Sequence, residues 1–277
     1  MIIELHTSIT DPNQSVLNAL KAECELSSGQ IKIAIGKGCL WLESGSKIKR
    51  LRRIKTALKI GEQLHFYYNQ QVLEQSPLTA ELIEDNHAYS VWCKPAGMLC
   101  QGSKWGDHTT INRYVEKQLQ RTAFIVHRLD KMTSGLIIIA HQKKVAAAFT
   151  KIFEQRKIKK VYRALVHGIF EDETELTIDT QVNEKTAVSH VQLITNSIEK
   201  KLSILDISID TGRKHQIREH LSSIGFPIVG DRLYGIEDMD QQHIPDLQLV
   251  SYKLSFSCPV TSVSKNYQLE NKMLPVF

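Results

Sequence analysis

No Cys-x-x-Cys pair occurs in this chain. Its five cysteines, Cys24, Cys39, Cys93, Cys100 and Cys258, are scattered and odd in number, which speaks against both a disulfide framework and a zinc site. A reducing, cytoplasmic compartment is therefore expected. The opening Met1-Ile2-Ile3-Glu4-Leu5-His6 has no basic region followed by an apolar run, and no window reaches membrane-spanning length without charges, so neither export nor anchoring is expected. The phosphate-cradling Gly-x-x-x-x-Gly-Lys, the dinucleotide fingerprint and the Gly-x-Ser-x-Gly elbow are all missing. So are fixed-period repeats and low-complexity tracts. Of the eleven histidines, His215 and His220 are the one tempting pair, but a five-residue helical step turns two side chains roughly 140° apart. They cannot share an ion on one helix face, and neither a metal nor a cofactor is expected.

What is present suits a globular protein of one large domain and one small one: 277 residues, 42% hydrophobic. The net charge of +5 and a pI near 8.8 lean mildly toward a polyanionic partner. Residues 1–75 read as a compact basic module, with helices expected from Gln14 to Cys24 and Ser28 to Ile35 and strands at Cys39–Leu42 and Leu64–Tyr68. Between those strands Lys47, Lys49, Arg50, Arg52, Arg53, Lys55 and Lys59 form a run without an acidic side chain. It is either a solvated loop or helix face, or a phosphate-binding patch that releases counterions from a nucleic acid. The polar, proline-broken stretch around residues 70–80 places a boundary that leaves 76–277 as the second domain.

In that domain strands are expected at Ala88–Cys93, Val161–Val166, Leu205–Ile209 and Leu247–Phe256, and helices at Thr109–Leu119, Lys143–Arg156 and Arg213–Ser223. Its most informative stretch is His127-Arg128-Leu129-Asp130-Lys131-Met132-Thr133-Ser134-Gly135-Leu136. Apolar, β-branched runs on either side, Ala123–Val126 and Leu136–Ala140, bracket turn residues, so Asp130 is expected at the rim of a sheet. Taken singly, Asp130 is as well explained as a turn cap, Tyr162 as a core aromatic with a wet hydroxyl, and Arg218 as a solvated helix residue.

Jointly the motifs are more specific. The block around Asp130 closely resembles the signature of the large-subunit ribosomal pseudouridine synthase family, a branch of the RNA pseudouridine synthases. Glu84-Asp85 with Lys94-Pro95-Ala96-Gly97, Lys160-Val161-Tyr162-Arg163-Ala164-Leu165-Val166-His167-Gly168, Thr211-Gly212-Arg213-Lys214-His215-Gln216-Ile217-Arg218-Glu219-His220, and Gly225-Phe226-Pro227-Ile228-Val229-Gly230-Asp231-x-x-Tyr234-Gly235 agree in order and spacing. The resemblance covers about residues 80–277. It implies an α/β fold of the α+β type, with a curved, mixed and mostly antiparallel sheet flanked by helices. Beside it, the N-terminal module is similar only in outline to a small RNA-binding domain.

The implied reaction is isomerisation of uridine to pseudouridine in ribosomal or transfer RNA, without cofactor or metal. The resemblance makes Asp130 the essential carboxylate, Arg218 the arginine that pairs with it, and Tyr162 the residue against the target base, for stacking or for removing the C5 proton. Arg128 would engage the RNA beside the flipped nucleotide. The physical demands agree: breaking the bond from ribose C1′ to N1 gives the sugar oxocarbenium character, which an adjacent carboxylate stabilises or attacks. Hydrolysis would call for a second carboxylate to activate water. Lys143, Lys144, Lys157, Lys159, Lys160 and Arg213, with Lys47, Lys49, Arg50, Arg52 and Arg53, are the candidates for RNA phosphate contacts. RNA is the expected partner of a monomer. A non-catalytic RNA-binding protein on the same fold and an RNA glycosidase remain as alternatives.

Overall fold

A computed structural model describes residues 1–172, 174–236 and 245–277. The chain forms two compact units: residues 1–77 with 101–114, and residues 78–100 with 115–277.

The first unit holds β1 (Ile2–Ser8), α1 (Val16–Lys21), α2 (Ser28–Gly36), β2 (Leu40–Ser44), β3 (Lys47–Arg50), β4 (Gln63–Asn69) and α3 (Gln70–Glu74). Its strands form an antiparallel sheet in the order β1-β4-β2-β3. Helix α2 starts where Ser27 and Gln30 make a reciprocal capping box, the Ser27 hydroxyl accepting from Gln30 N–H and Gln30 Oε1 from Ser27 N–H. Strict alternation along β4 sends Leu64, Phe66 and Tyr68 into a core with Leu20, Ile31, Ile35 and Leu40. The basic run expected as a loop or helix face begins instead as β3, an edge strand whose Lys47 and Lys49 are exposed, which suits an unpaired sheet edge.

Residues 101–114 lie in the part of the sequence expected to be catalytic, yet their contacts are with the first unit. Asp107 supplies one such contact. Its carboxylate forms an ion pair with Arg52 and lies 3.5 Å from Arg50 Nε, while Arg50 also donates to the Ser103 carbonyl at 3.0 Å. Two of the five first-module cations expected to meet RNA are thus occupied within the protein, because a buried carboxylate needs compensating charge. Lys47, Lys49 and Arg53 stay exposed.

The second unit is built on β5 (Glu81–Asp85), β6 (Tyr89–Lys94), β7 (Phe124–Ile125), β8 (Ser134–Ala140), β9 (Lys159–His167), β10 (Leu176–Ile178), β11 (Ser189–Ser197), β12 (Leu202–Ile209), β13 (Leu249–Ser257) and β14 (Ser264–Gln268). Helices α4 (Ile111–Leu119), α5 (Lys143–Glu154) and α6 (Gln216–Ser223) and a 3-10 turn at Asn271–Met273 complete the described elements. The sheet runs β10-β11-β12-β9-β13-β8-β6-β5, with β14 beside β13 and β7 beside β8. Among the described residues only β8 and β13 pair in parallel. This is the mixed, mostly antiparallel α/β sheet expected from the sequence.

Strand β8 is buried on both faces from Gly135 to Ala140, which is why it reads as a continuous apolar run rather than an alternating one. One face belongs to α5: Val145 and Phe149 pack with Leu136, Ile138, Ala140, Val250 and Tyr252. Tyr162 pairs in register with Ser251, between Val250 and Tyr252, and so belongs to the opposite face.

Candidate active site

The backbone on either side of Asp130 is fixed at four places. His127 Nε2 accepts the Ile138 N–H at 2.9 Å, and its ring stacks on Phe153 at 4.5 Å between centroids. Burial, reinforced by the charge of Lys160, pushes this imidazole down to about 3 and keeps it a neutral acceptor. Leu129 is held through its peptide by Cys100, whose thiol donates to the carbonyl at 3.3 Å and accepts from the N–H at 3.4 Å. Lys131 presents its carbonyl to Gly97 N–H at 2.9 Å and to Lys94 Nζ at 3.2 Å.

Lys94 is fully buried, and its ammonium also donates to the carbonyls of Pro95 and Met98, both at 2.9 Å. Loss of water lowers it to about 8, with Cys100 and then Asp130 acting the other way. The fourth anchor is Gly135, at φ +112, where an added Cβ would lie 2.2 Å from the Ser251 carbonyl oxygen. Only a residue without a side chain allows β8 to approach β13 that closely. Lys94, His127 and Cys100 were not singled out from the sequence as site residues, although Lys94 and His127 stand in the motifs that carried the resemblance.

Asp130, so held, lines a cleft with Arg128, Tyr162, Arg213, His215 and Arg218. Tyr162 stands on β9, and burial, followed by the charge of Asp130, raises its hydroxyl above the ordinary phenol range. It is a neutral phenol at physiological pH. Its ring can stack, but proton removal from C5 would need the phenolate, and the environment opposes that state.

Arg218 comes from α6, which begins three residues later than the sequence suggested because His215 takes a left-handed conformation at φ 60. Gln216 organises the preceding loop: its Oε1 accepts from the Thr211 hydroxyl at 2.7 Å and from Arg213 N–H at 3.1 Å. The expected pairing of Arg218 with Asp130 is corrected here. Its guanidinium makes a two-point ion pair with Asp231, Nε to Oδ2 at 2.7 Å and Nη2 to Oδ1 at 2.6 Å. Among the described residues no ion pair joins Arg218 to Asp130. Burial pulls the Arg218 pKa down, but hydrogen bonding and charge from Asp231, and then the charge of Asp130, outweigh it and raise it.

The cations expected to meet RNA separate into groups. Arg128 and Arg213 line the cleft, and Arg213 Nε also donates to the Thr186 carbonyl at 3.1 Å. Lys160 reaches the same loop, its Nζ 3.8 Å from where a Gly212 side chain would start, while Lys157 and Lys159 are exposed just before it. Lys143 and Lys144 do not come to the cleft. They follow the far end of β8, about 17 Å of strand away from Gly135 at the usual rise of roughly 3.3 Å per residue.

Comparison with known proteins agrees with this geometry. Residues 88–223 match the family model described as RNA pseudouridylate synthase. An uncharacterized RNA pseudouridine synthase of Bacillus subtilis, YhcT, is 31% identical over 173 residues, covering 56% of this chain and 57% of the relative. Ribosomal large subunit pseudouridine synthase C of Buchnera aphidicola is 30% identical, covering 66% of this chain and 59% of the relative. An uncharacterized RNA pseudouridine synthase of Aquifex aeolicus, at 26% identity, covers 90% and 87%. The chain therefore spans somewhat under two thirds of the Bacillus and Buchnera proteins. Among solved structures, human RNA pseudouridylate synthase domain containing 1 shares the fold at a TM-score of 0.61 and 19% identity, over 73% of this chain and 88% of that one. With the HRLD turn, the Lys94 clamp and the α6 arginine all inside the matched span, residues 88–223 are similar to the RNA pseudouridylate synthase family across the whole of the candidate site.

Proposed function

We propose that this chain isomerises uridine to pseudouridine in structured RNA, ribosomal or transfer, with Asp130 as the essential carboxylate. The observation that carries the reading is the convergence of Asp130, Tyr162 and Arg218 on one cleft, with the Asp130 turn fixed by bonds on both sides. Asp130 faces ribose C1′ of a nucleotide flipped into the cleft. Flipping costs a few kcal/mol, offset by phosphate contacts from Arg128, Arg213 and Lys160. The N1–C1′ bond breaks as the carboxylate attacks or stabilises the sugar. The freed uracil turns against the Tyr162 ring, C5 bonds to C1′, the C5 proton leaves, and N1 gains a proton. Atoms balance without a second substrate.

A glycosidase would need a carboxylate free to activate water. Asp231, the carboxylate paired with Arg218, is withdrawn from solvent and committed to that arginine, which favours retention of the base over hydrolysis. A protein that only binds RNA has no use for a partly buried carboxylate facing an anion. Lys47, Lys49 and Arg53 extend the RNA contact in this reading, and the protein acts as a monomer in the cytoplasm.

The test is to incubate the protein with total RNA from a strain lacking its gene and to map carbodiimide-resistant adducts, alongside Asp130→Asn. New adducts that require Asp130 support the isomerase and name the substrate. Bound but unmodified RNA supports the non-catalytic alternative, and released uracil the glycosidase.

A further inference from the structure

We propose that Asp231 is a positioning residue for this isomerisation: it grips one edge of the Arg218 guanidinium and leaves the other edge turned to Asp130 and the flipped nucleotide. The inference rests on the functional reading above.

Asp231 is the most enclosed carboxylate in the neighbourhood, its side chain without exposure and that of Arg218 only 10% exposed. Burying a carboxylate is costly unless its lone pairs are taken up, and here they are. Oδ2 accepts from Arg218 Nε at 2.7 Å. Oδ1 accepts from Arg218 Nη2 at 2.6 Å, from Leu233 N–H at 2.9 Å and from Tyr234 N–H at 3.0 Å.

The backbone fixes the acid in turn. Gly230 has φ +80, and a Cβ there would meet the carbonyl oxygens of Asp246 at 2.4 Å and Pro245 at 2.6 Å. The guanidinium also lies over the Tyr234 ring at 5.1 Å, and the Tyr234 hydroxyl is 3.3 Å from His215 Nδ1. The arginine is thus held along its edge by a fork and across its face by a ring.

This arrangement divides the work of one guanidinium. Of its five donors, Asp231 uses one on Nε and one on Nη2, which leaves three, and Arg218 lines the same cleft as Asp130. Pairing the arginine with Asp231 holds a cation at the cleft that Asp130 lines. A displacement of about 1 Å in such a group can cost on the order of 100-fold in rate.

The experiment measures RNA affinity and single-turnover pseudouridine formation for wild type, Asp231→Asn, Arg218→Ala and the double variant. Asp231→Asn is expected to lower the single-turnover rate by about 100-fold while RNA affinity changes by less than about threefold. Because Asp231 acts through Arg218, the double variant is expected to be no slower than Arg218→Ala alone. If Asp231→Asn does not fold, Asp231→Glu keeps the charge and shifts the fork by one methylene, and a loss of about tenfold or more with affinity retained is expected. A wild-type rate in either folded variant, or losses that simply add in the double variant, would overturn the positioning role. Absence of product from wild type would instead refute the functional reading, so the two failures are distinguishable.

Discussion

Gly135 and Ser251 approach so closely across the parallel pairing of β8 and β13 that a methyl group on the glycine would sit 2.2 Å from the serine carbonyl. Together with φ +112, this makes Gly135→Ala a strained and overpacked substitution five residues after Asp130. Strain of about 1–3 kcal/mol and overpacking of a similar size predict a loss of about 2–6 kcal/mol. Urea unfolding checks it, and a loss under about 1 kcal/mol would show that the strands can separate freely.

The neutral state of His127 predicts an acid-sensitive fold. Its folded pKa is near 3, against an ordinary value of 6.5, so the unfolded chain binds the extra proton as pH falls through that interval. Stability from this group is full above about pH 6.5 and declines toward pH 3, by a few kcal/mol at most. His127→Gln keeps an acceptor for the Ile138 N–H without a proton to bind. Denaturant midpoints measured from pH 7 to 4 should fall less steeply for the variant, and equal slopes would place the acid sensitivity elsewhere.

A buried, neutral phenol at Tyr162 predicts that its ring matters more than its hydroxyl. Tyr162→Phe should retain pseudouridine formation within about tenfold, whereas Tyr162→Leu removes the stacking surface. A general base contributes about 100- to 10,000-fold. A loss of that size in Tyr162→Phe would restore the hydroxyl as the proton acceptor.

Asp107 ties residues 101–114 into the first unit through Arg50 and Arg52. Asp107→Ala leaves two guanidinium groups without their carboxylate, and breaking a buried pair costs roughly 3–5 kcal/mol, less where, as here, the arginines are partly exposed. The first unit should become the earlier to exchange amide hydrogens, with protection in β8 and β9 unchanged. Uniform loss across both units would contradict this assignment.

These residues also mark what could be read from the sequence. Strand β8 and helix α5 were legible because five consecutive apolar residues and a 3.6-residue repeat leave little choice of structure. Strand β1 was not: Ile2, Glu4 and His6 face outward and its pairing with β4 spans some sixty residues, so nothing local announces it. The start of α6 was misplaced because a left-handed histidine has no sequence mark. Likewise the cleft members Asp130, Tyr162 and Arg218 were found by motif, but the partner of Arg218 was not, since ion pairing depends on which of two carboxylates the backbone brings nearer. The same limit applies to Arg50 and Arg52, whose charge was visible and whose occupation by Asp107 was not.

In the proposed reaction Asp130 moves the glycosidic bond from N1 to C5 of uridine, a step that must displace the hydrogen on C5. RNA labelled with tritium at uridine C5 reads this step. Wild-type protein should release tritium to water without releasing uracil, and Asp130→Asn should bind the same RNA and release none. Tritium release that persists in Asp130→Asn, or uracil appearing in place of tritiated water, would rule out Asp130 as the carboxylate that carries the isomerisation.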